Sequence, residues 1–196
     1  MRDWLSAVLR EIAPVKLELA DSLRDELDEY GLFRKSAFNR DLITRATASE
    51  DLGEPLALLM IDLDELKPIN TKYGHPEGGD KVLQLVAESL KRITGTKGSC
   101  SRYGGDEFSV LLPNYSADEA AALAERIRSQ IEASTVGDKK FRITVSIGEA
   151  SASTHATTSD ELVKMAHAAL NEAKRVRTQS RSDQRRTEGS RIWAVI

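Results

Sequence analysis

Three carboxylates stand where folding could bring them together: Asp62 near the end of a short apolar run, and Asp106 and Glu107 directly after Gly104 and Gly105. The run at 56–63 (LALLMIDL) is nearly continuously apolar, as in a strand buried on both faces rather than an alternating edge strand. The glycine pair separates two strand-like stretches, 99–103 and 108–112, and reads as a tight hairpin turn whose glycines take positive φ angles. If those strands are neighbours of the first, the three acids meet at one edge of a sheet, and such a cluster repels itself unless a cation fills it. Hard oxygen donors suit magnesium, with manganese as a substitute; the thiols and paired histidines of a zinc set are missing. Taken singly, each acid also has an ordinary structural account. Asp62 ends a strand, Asp64 caps the next helix with Glu65 in its first turn, and the glycine pair is only a turn.

The elements that must position these residues follow from periodicity. Helical spacing predicts an amphipathic helix over 4–29, interrupted near Pro14, and further helices over 36–48, 80–93, 116–131 and 160–175. A short helix begins after Asp64, tolerates Pro68 in its first turn and ends near Tyr73-Gly74. Alternation at 142–150 (RITVSIGEA) predicts another strand, and 191–196 (RIWAVI) a last one. The order βααββαβα points to an α/β (α+β) fold, a mainly antiparallel sheet flanked by helices in a ferredoxin-like or palm-type sandwich. Residues 1–28 read as an N-terminal helical extension and 29–196 as the domain proper.

Composition narrows the function classes. A chain of 196 residues with 40% hydrophobic residues and a formal charge of -3 holds one core and has no bulk electrostatic pull toward nucleic acid. The single cysteine, Cys100, excludes an internal disulfide. No apolar run approaches the roughly 20 residues a membrane helix needs, and the N-terminus lacks the order of a signal peptide, so the expected location is the cytosol.

The full string Arg102-Tyr103-Gly104-Gly105-Asp106-Glu107-Phe108 resembles the signature of the GGDEF family of diguanylate cyclases. The resemblance runs on through the chain from about residue 28 onward. The stretch 30–38 (YGLFRKSAF) is similar to the family's TGLxNRRxF opening and 61–70 (IDLDELKPIN) to its DxDxFKxIND segment. Tyr73-Gly74-His75 with Gly79-Asp80-Lys81-Val82-Leu83 resembles YGHxxGDxVL, 145–148 the VSIG strand, and 169–174 (ALNEAK) the ALYxAK helix.

The resemblance implies that Asp62, the Leu63 carbonyl, Asp106 and Glu107 hold Mg²⁺, and that Asp106 is also the base near an attacking 3′-hydroxyl. It implies that Lys67 and Lys174 stabilise phosphate charge, that Asn70 and Asp80 read guanine, and that His75, Gly104 and Gly105 touch the substrate. The chemistry of guanine agrees: a carboxylate accepts from two adjacent donors on its edge, where adenine offers an acceptor and would leave Asp80 unpaired. In such a family each subunit binds one GTP, and two sites face each other across a homodimer to close cyclic di-GMP and release pyrophosphate. The N-terminal helix is then a candidate for a dimerising or regulatory stalk, with a helix packed back on its own domain as the equal alternative because its apolar spacing drifts from a strict heptad.

Three departures from the family pattern matter. His75-Pro76-Glu77-Gly78-Gly79-Asp80 carries one residue more than GHxxGD, which leaves open whether Asp80 still reaches guanine. After Lys174 the family's AKxxGRNRV pattern is interrupted and its phosphate-binding arginine has no unambiguous counterpart; of the arginines at 175, 177, 181, 185 and 186, one is open to a role as phosphate clamp and most read as a solvated basic extension of the helix. The inhibitory RxxD position is occupied by Gly95-Thr96-Lys97-Gly98, so product inhibition there is not expected. These departures leave two other readings beside an active cyclase: a GGDEF domain that binds a nucleotide or protein without turnover, and a cyclase of relaxed base choice.

Overall fold

The computed structural model describes residues 25–136, 141–152, 158–184 and 194–195. Most of the helix expected at 4–29 lies outside them, as does most of the strand expected at 191–196. In chain order the elements are β1 (Phe33–Arg34), α1 (Lys35–Leu52), β2 (Leu56–Leu63), α2 (Leu66–Tyr73), a π-helical turn (His75–Gly79), α3 (Asp80–Thr94), β3 (Ser99–Arg102), β4 (Glu107–Pro113), α4 (Ala117–Ala133), β5 (Thr135–Val136), β6 (Phe141–Arg142), β7 (Val145–Ala152), α5 (Ser159–Gln184) and β8 (Ala194–Val195).

Six strands form the main sheet in the order β1-β3-β4-β2-β7-β8, and β5 and β6 form a separate ribbon. The four central strands are antiparallel neighbours, and only the two-residue edge strands β1 and β8 pair in parallel. This is the order of a ferredoxin-like sandwich, as the element sequence implies.

The apolar run of β2 serves two cores at once. Ala57, Leu59, Ile61 and Leu63 pack with α3 and α4, while Leu56, Leu58 and Met60 pack with α1 and α5. Each fully buried Leu or Ile contributes about 2 kcal/mol by removal from water, so β2 is anchored from both faces. Continuing the alternation places Asp62 and Asp64 on the α1/α5 face.

One glycine sets how close α5 lies. A Cβ on Gly148 of β7 would stand 2.1 Å from Leu170 N and 2.4 Å from Ala166 O, so no larger residue lets the helix reach this depth. Lys174 follows Leu170 by one turn.

Several local expectations are corrected. Asp64 does not cap α2: the helix starts at Leu66 after Glu65, which adopts a left-handed conformation at φ 63°, and Asp64 is buried beneath. Neither Gly104 nor Gly105 has a positive φ. Gly104 answers a packing need instead, because a Cβ there would sit 3.0 Å from Glu107 Oε2. The strand expected over 142–150 is divided between β6 and β7, with Thr144 accepting the Asp64 N–H between them. The last helix runs past 175 to Gln184, because 176–184 contains neither glycine nor proline to stop it.

Candidate active site

The carboxylate edge is assembled by strand register. In the β2/β4 pair Asp62 stands directly opposite Glu107, and the Leu63 N–H donates to the Asp106 carbonyl at 3.0 Å. In an antiparallel strand a residue's N–H and C=O point the same way, so the Leu63 carbonyl also faces the hairpin. The turn closes with Tyr103 N–H and Gly104 N–H donating to the Glu107 carbonyl at 2.8 and 3.1 Å. Asp106 is exposed at its tip and Glu107 half-buried. Asp62, Leu63, Asp106 and Glu107 thus come together as their spacing suggested.

The cation at this edge is Lys174, whose Nζ lies 2.7 Å from Asp62 Oδ2. Burial pushes the Asp62 carboxyl above the ordinary aspartate range; Lys174 opposes this, and the nearby Asp106 and Asp64 charges add to it. Among the described residues no three acidic, histidine or cysteine side chains are drawn into a ready metal cage.

Beside the edge opens a cavity of about 630 Å³, lined by Lys67, Asn70, His75, Asp80, Gly105 and Asp106 together with Leu66, Thr71, Gly79, Leu83 and Arg102. Asp62, Leu63, Gly104, Glu107 and Lys174 do not line it; Asp106 is the link between cavity and edge. The volume falls within the range of small-molecule sites.

Asp80 lines the cavity despite the residue added after His75. The residue added after His75 is absorbed by the π turn, in which the Asp80 N–H reaches back five residues to the His75 carbonyl. Asp80 therefore opens α3 and faces the cavity with Asn70. Their proximity depends on Gly79, where a Cβ would fall 2.2 Å from Asn70 Oδ1. That Oδ1 is buried and has no hydrogen-bond partner among the described residues, an acceptor left over for a ligand.

Two arrangements escaped the sequence reading. Asp64 accepts from Thr144 Oγ1 at 2.7 Å and Ser146 Oγ at 2.9 Å, and Arg177 Nε lies 3.0 Å from its Oδ1. Arg177 is therefore not part of a solvated extension, although Arg175 is, paired with Glu172 at 2.6 Å on the exposed face. Arg102 donates through Nε and Nη2 to the Gly105 carbonyl and pairs with Glu29 at 2.9 Å, clasping the hairpin to the domain's entry. The basic residue before the glycine pair was the only signal for this clasp.

A family model for "Diguanylate cyclase, GGDEF domain" matches residues 27–180. Diguanylate cyclase A of Treponema denticola is 42% identical over 129 residues, 65% of this chain and 34% of its own length. The chain thus spans about a third of that relative. The coiled coil and GGDEF domain of DgcB from Caulobacter crescentus, solved in complex with c-di-GMP, superposes with a TM-score of 0.77 at 26% identity, over 89% of this chain and 94% of that one. Diguanylate cyclase SiaD from Pseudomonas aeruginosa, solved with its activator SiaC, superposes with a TM-score of 0.76 at 27% identity, over 89% of this chain and 68% of that one. The family match takes in every strand of the sheet except β8, and by it the chain belongs to the GGDEF-domain family of diguanylate cyclases.

Proposed function

We propose that this chain condenses two GTP molecules into cyclic di-GMP and two pyrophosphates. The observation that carries the reading is the shared cavity, which Asn70, Asp80, Lys67 and Asp106 line together, with Asp106 also standing where the carboxylate edge begins. A guanine placed against Asp80 offers two adjacent donors to its carboxylate, and the unpartnered Asn70 Oδ1 supplies a further acceptor. Lys67 then meets the phosphates, and His75 and Gly105, which also line the cavity, contact the substrate together with the neighbouring Gly104. Asp106 accepts the proton of the 3′-hydroxyl that attacks the α-phosphate of the other GTP, and the bond to pyrophosphate breaks on the opposite side.

The donor set fits magnesium, or manganese in its place. Asp62, the Leu63 carbonyl, Asp106 and Glu107 are all oxygen donors, and Asp62 already takes a cation in the Lys174 ammonium. The absence of a ready cage among the described residues suits an ion that binds one or two carboxylates together with substrate phosphates. When bound, the metal would supply charge neutralisation at the phosphates, and Lys174, no longer needed by Asp62, would be available to phosphate charge.

One cavity holds one GTP, so two copies must face each other, and a homodimer is part of the proposal. Residues 1–28 are proposed as its dimerising or regulatory segment, supported by likeness to a coiled-coil form of DgcB and to an activator-bound SiaD. No helix among the described residues is long and apolar enough to cross a membrane; we place the protein in the cytoplasm, where GTP is available.

The test is product identity. Purified protein with Mg²⁺ and GTP yields cyclic di-GMP alone, and adding equimolar ATP leaves the product unchanged. Tight GTP binding with no product supports a receptor, and an adenine-containing dinucleotide supports relaxed base choice.

A further inference from the structure

The contacts between β2 and α5 form two rungs. Asp62 and Asp64, two residues apart, share one face of β2, and Lys174 and Arg177, three apart, share one face of α5. The rungs differ in exposure. The Asp62 and Lys174 side chains are 13% and 34% exposed, whereas Asp64 is 1% and Arg177 22% exposed.

Their saturation differs as well. Asp64 is held by the Thr144 and Ser146 hydroxyls, by its own N–H on the Thr144 carbonyl at 3.0 Å, and by the guanidinium charge. Arg177 Nε approaches Asp64 closely, yet its N–H is not aligned for a hydrogen bond, and Nη1 has no partner among the described residues. The contact is thus an ion pair by distance, sealed from water on the acid's side, where charge attraction is least screened. The outer rung carries an acid and an ammonium that the proposed chemistry must separate.

We propose that Asp64 and Arg177 are a positioning pair. They hold α5 at the depth from which Lys174 serves the carboxylate edge, and they keep it there when Asp62 exchanges Lys174 for metal and phosphate. The nucleotide's identity rests on the cyclase reading; the anchoring of α5 does not. Without the inner rung, separating Lys174 from Asp62 would remove both of these charged contacts between the second half of α5 and β2. The departure from the family pattern acquires a use here: the helix continues through the point where the family has glycine, and that continuity presents Arg177 to Asp64.

Removing Arg177 alone leaves a buried carboxylate uncompensated, which destabilises the fold. The informative variant is therefore the neutral double substitution Asp64→Asn with Arg177→Gln, compared with Arg177→Lys, which keeps the charge and loses the planar fork. Amide hydrogen exchange by mass spectrometry is measured on full-length protein, and GTP affinity is measured with Mg²⁺ in a cycle with Lys174→Ala. In the double variant, protection over 171–184 drops about tenfold while 159–170 is unchanged, GTP binds about tenfold more weakly, and the loss disappears on the Lys174→Ala background. Arg177→Lys falls between the double variant and wild type in both measurements. Unchanged protection, or an affinity loss that simply adds to that of Lys174→Ala, overturns the proposal. If the wild type binds no GTP, the cyclase reading fails while the exchange comparison still decides the anchor.

Discussion

Asp62, Asp106 and Glu107 hang from β2 and from the hairpin end of β4, strands whose interior residues Leu58, Leu59, Met60, Ile61 and Val110 are wholly buried. Asn70 is instead carried by α2, eight residues long with none buried, and Asp80 by the first turn of α3 directly after the π turn. The acids proposed to hold the metal are therefore fixed by two hydrophobic cores. The residues proposed to read the base depend on a thin wall whose geometry is set locally, by Gly79 against Asn70 and by a single π turn. A residue could be inserted in the wall and absorbed, as the loop after His75 shows; an insertion in β2 would turn Asp62 to the other face.

That contrast predicts different responses to substitution. The largest belongs to the edge: Asp106→Asn lowers cyclic di-GMP formation by about 10³-fold, while thermal stability stays near wild type because Asp106 is exposed. A fall in thermal midpoint as large as the fall in rate would show that the edge is not separately anchored. Gly148→Val drives a side chain into the backbone of α5 and destabilises the protein by about 3 kcal/mol, read as a lower midpoint in urea. An unchanged midpoint would mean that α5 is not seated by β7.

The wall should respond in selectivity rather than stability. Asp80→Ala leaves the unfolding midpoint unchanged and reduces preference for GTP over ATP by about 10²-fold, measured by competitive binding. Equal loss of affinity for both nucleotides would remove Asp80 from base recognition. The smallest effect tests how much unfavourable burial the sheet tolerates. Burial pushes the Glu149 carboxyl on β7 above its ordinary value of 4.5, against the opposing hydrogen bond from Ser151. The folded state then binds that proton more tightly than the unfolded chain, so stability declines as pH rises through the window above 4.5. Glu149→Gln should raise the thermal midpoint at neutral pH by about 2 °C or more, with the gain vanishing below the ordinary glutamate value. A gain that persists at low pH would point to packing instead.

What the sequence disclosed and what it hid divide along the same physical line. β2 was legible because a strand buried on both faces has an unbroken apolar run, and the hairpin because Gly104 and Gly105 fall between two strand-like stretches. Asp64 was misread because an acid between a strand and a helix looks like a cap; its true partners, Thr144, Ser146 and Arg177, lie far along the chain and leave no local trace. Arg177 was misread for the matching reason, since a run of arginines on a helix resembles a solvated face until a buried acid is placed opposite one of them. The π turn was hidden because a count of residues after His75 reveals an insertion but not whether it lengthens a loop or is wound into a helix. Residues 1–28 carry the proposed route to dimerisation, and their periodicity alone does not choose between a stalk and a helix folded back on the domain.

The central claim is that two copies of this cavity act together on two GTP molecules. It is tested most directly by the initial rate of cyclic di-GMP formation measured across protein concentration at saturating GTP and Mg²⁺. The rate should rise with the square of protein concentration while the protein is mainly monomeric and become linear once dimers dominate. A rate linear at every concentration while the protein remains a monomer, or GTP bound without product throughout, would contradict it.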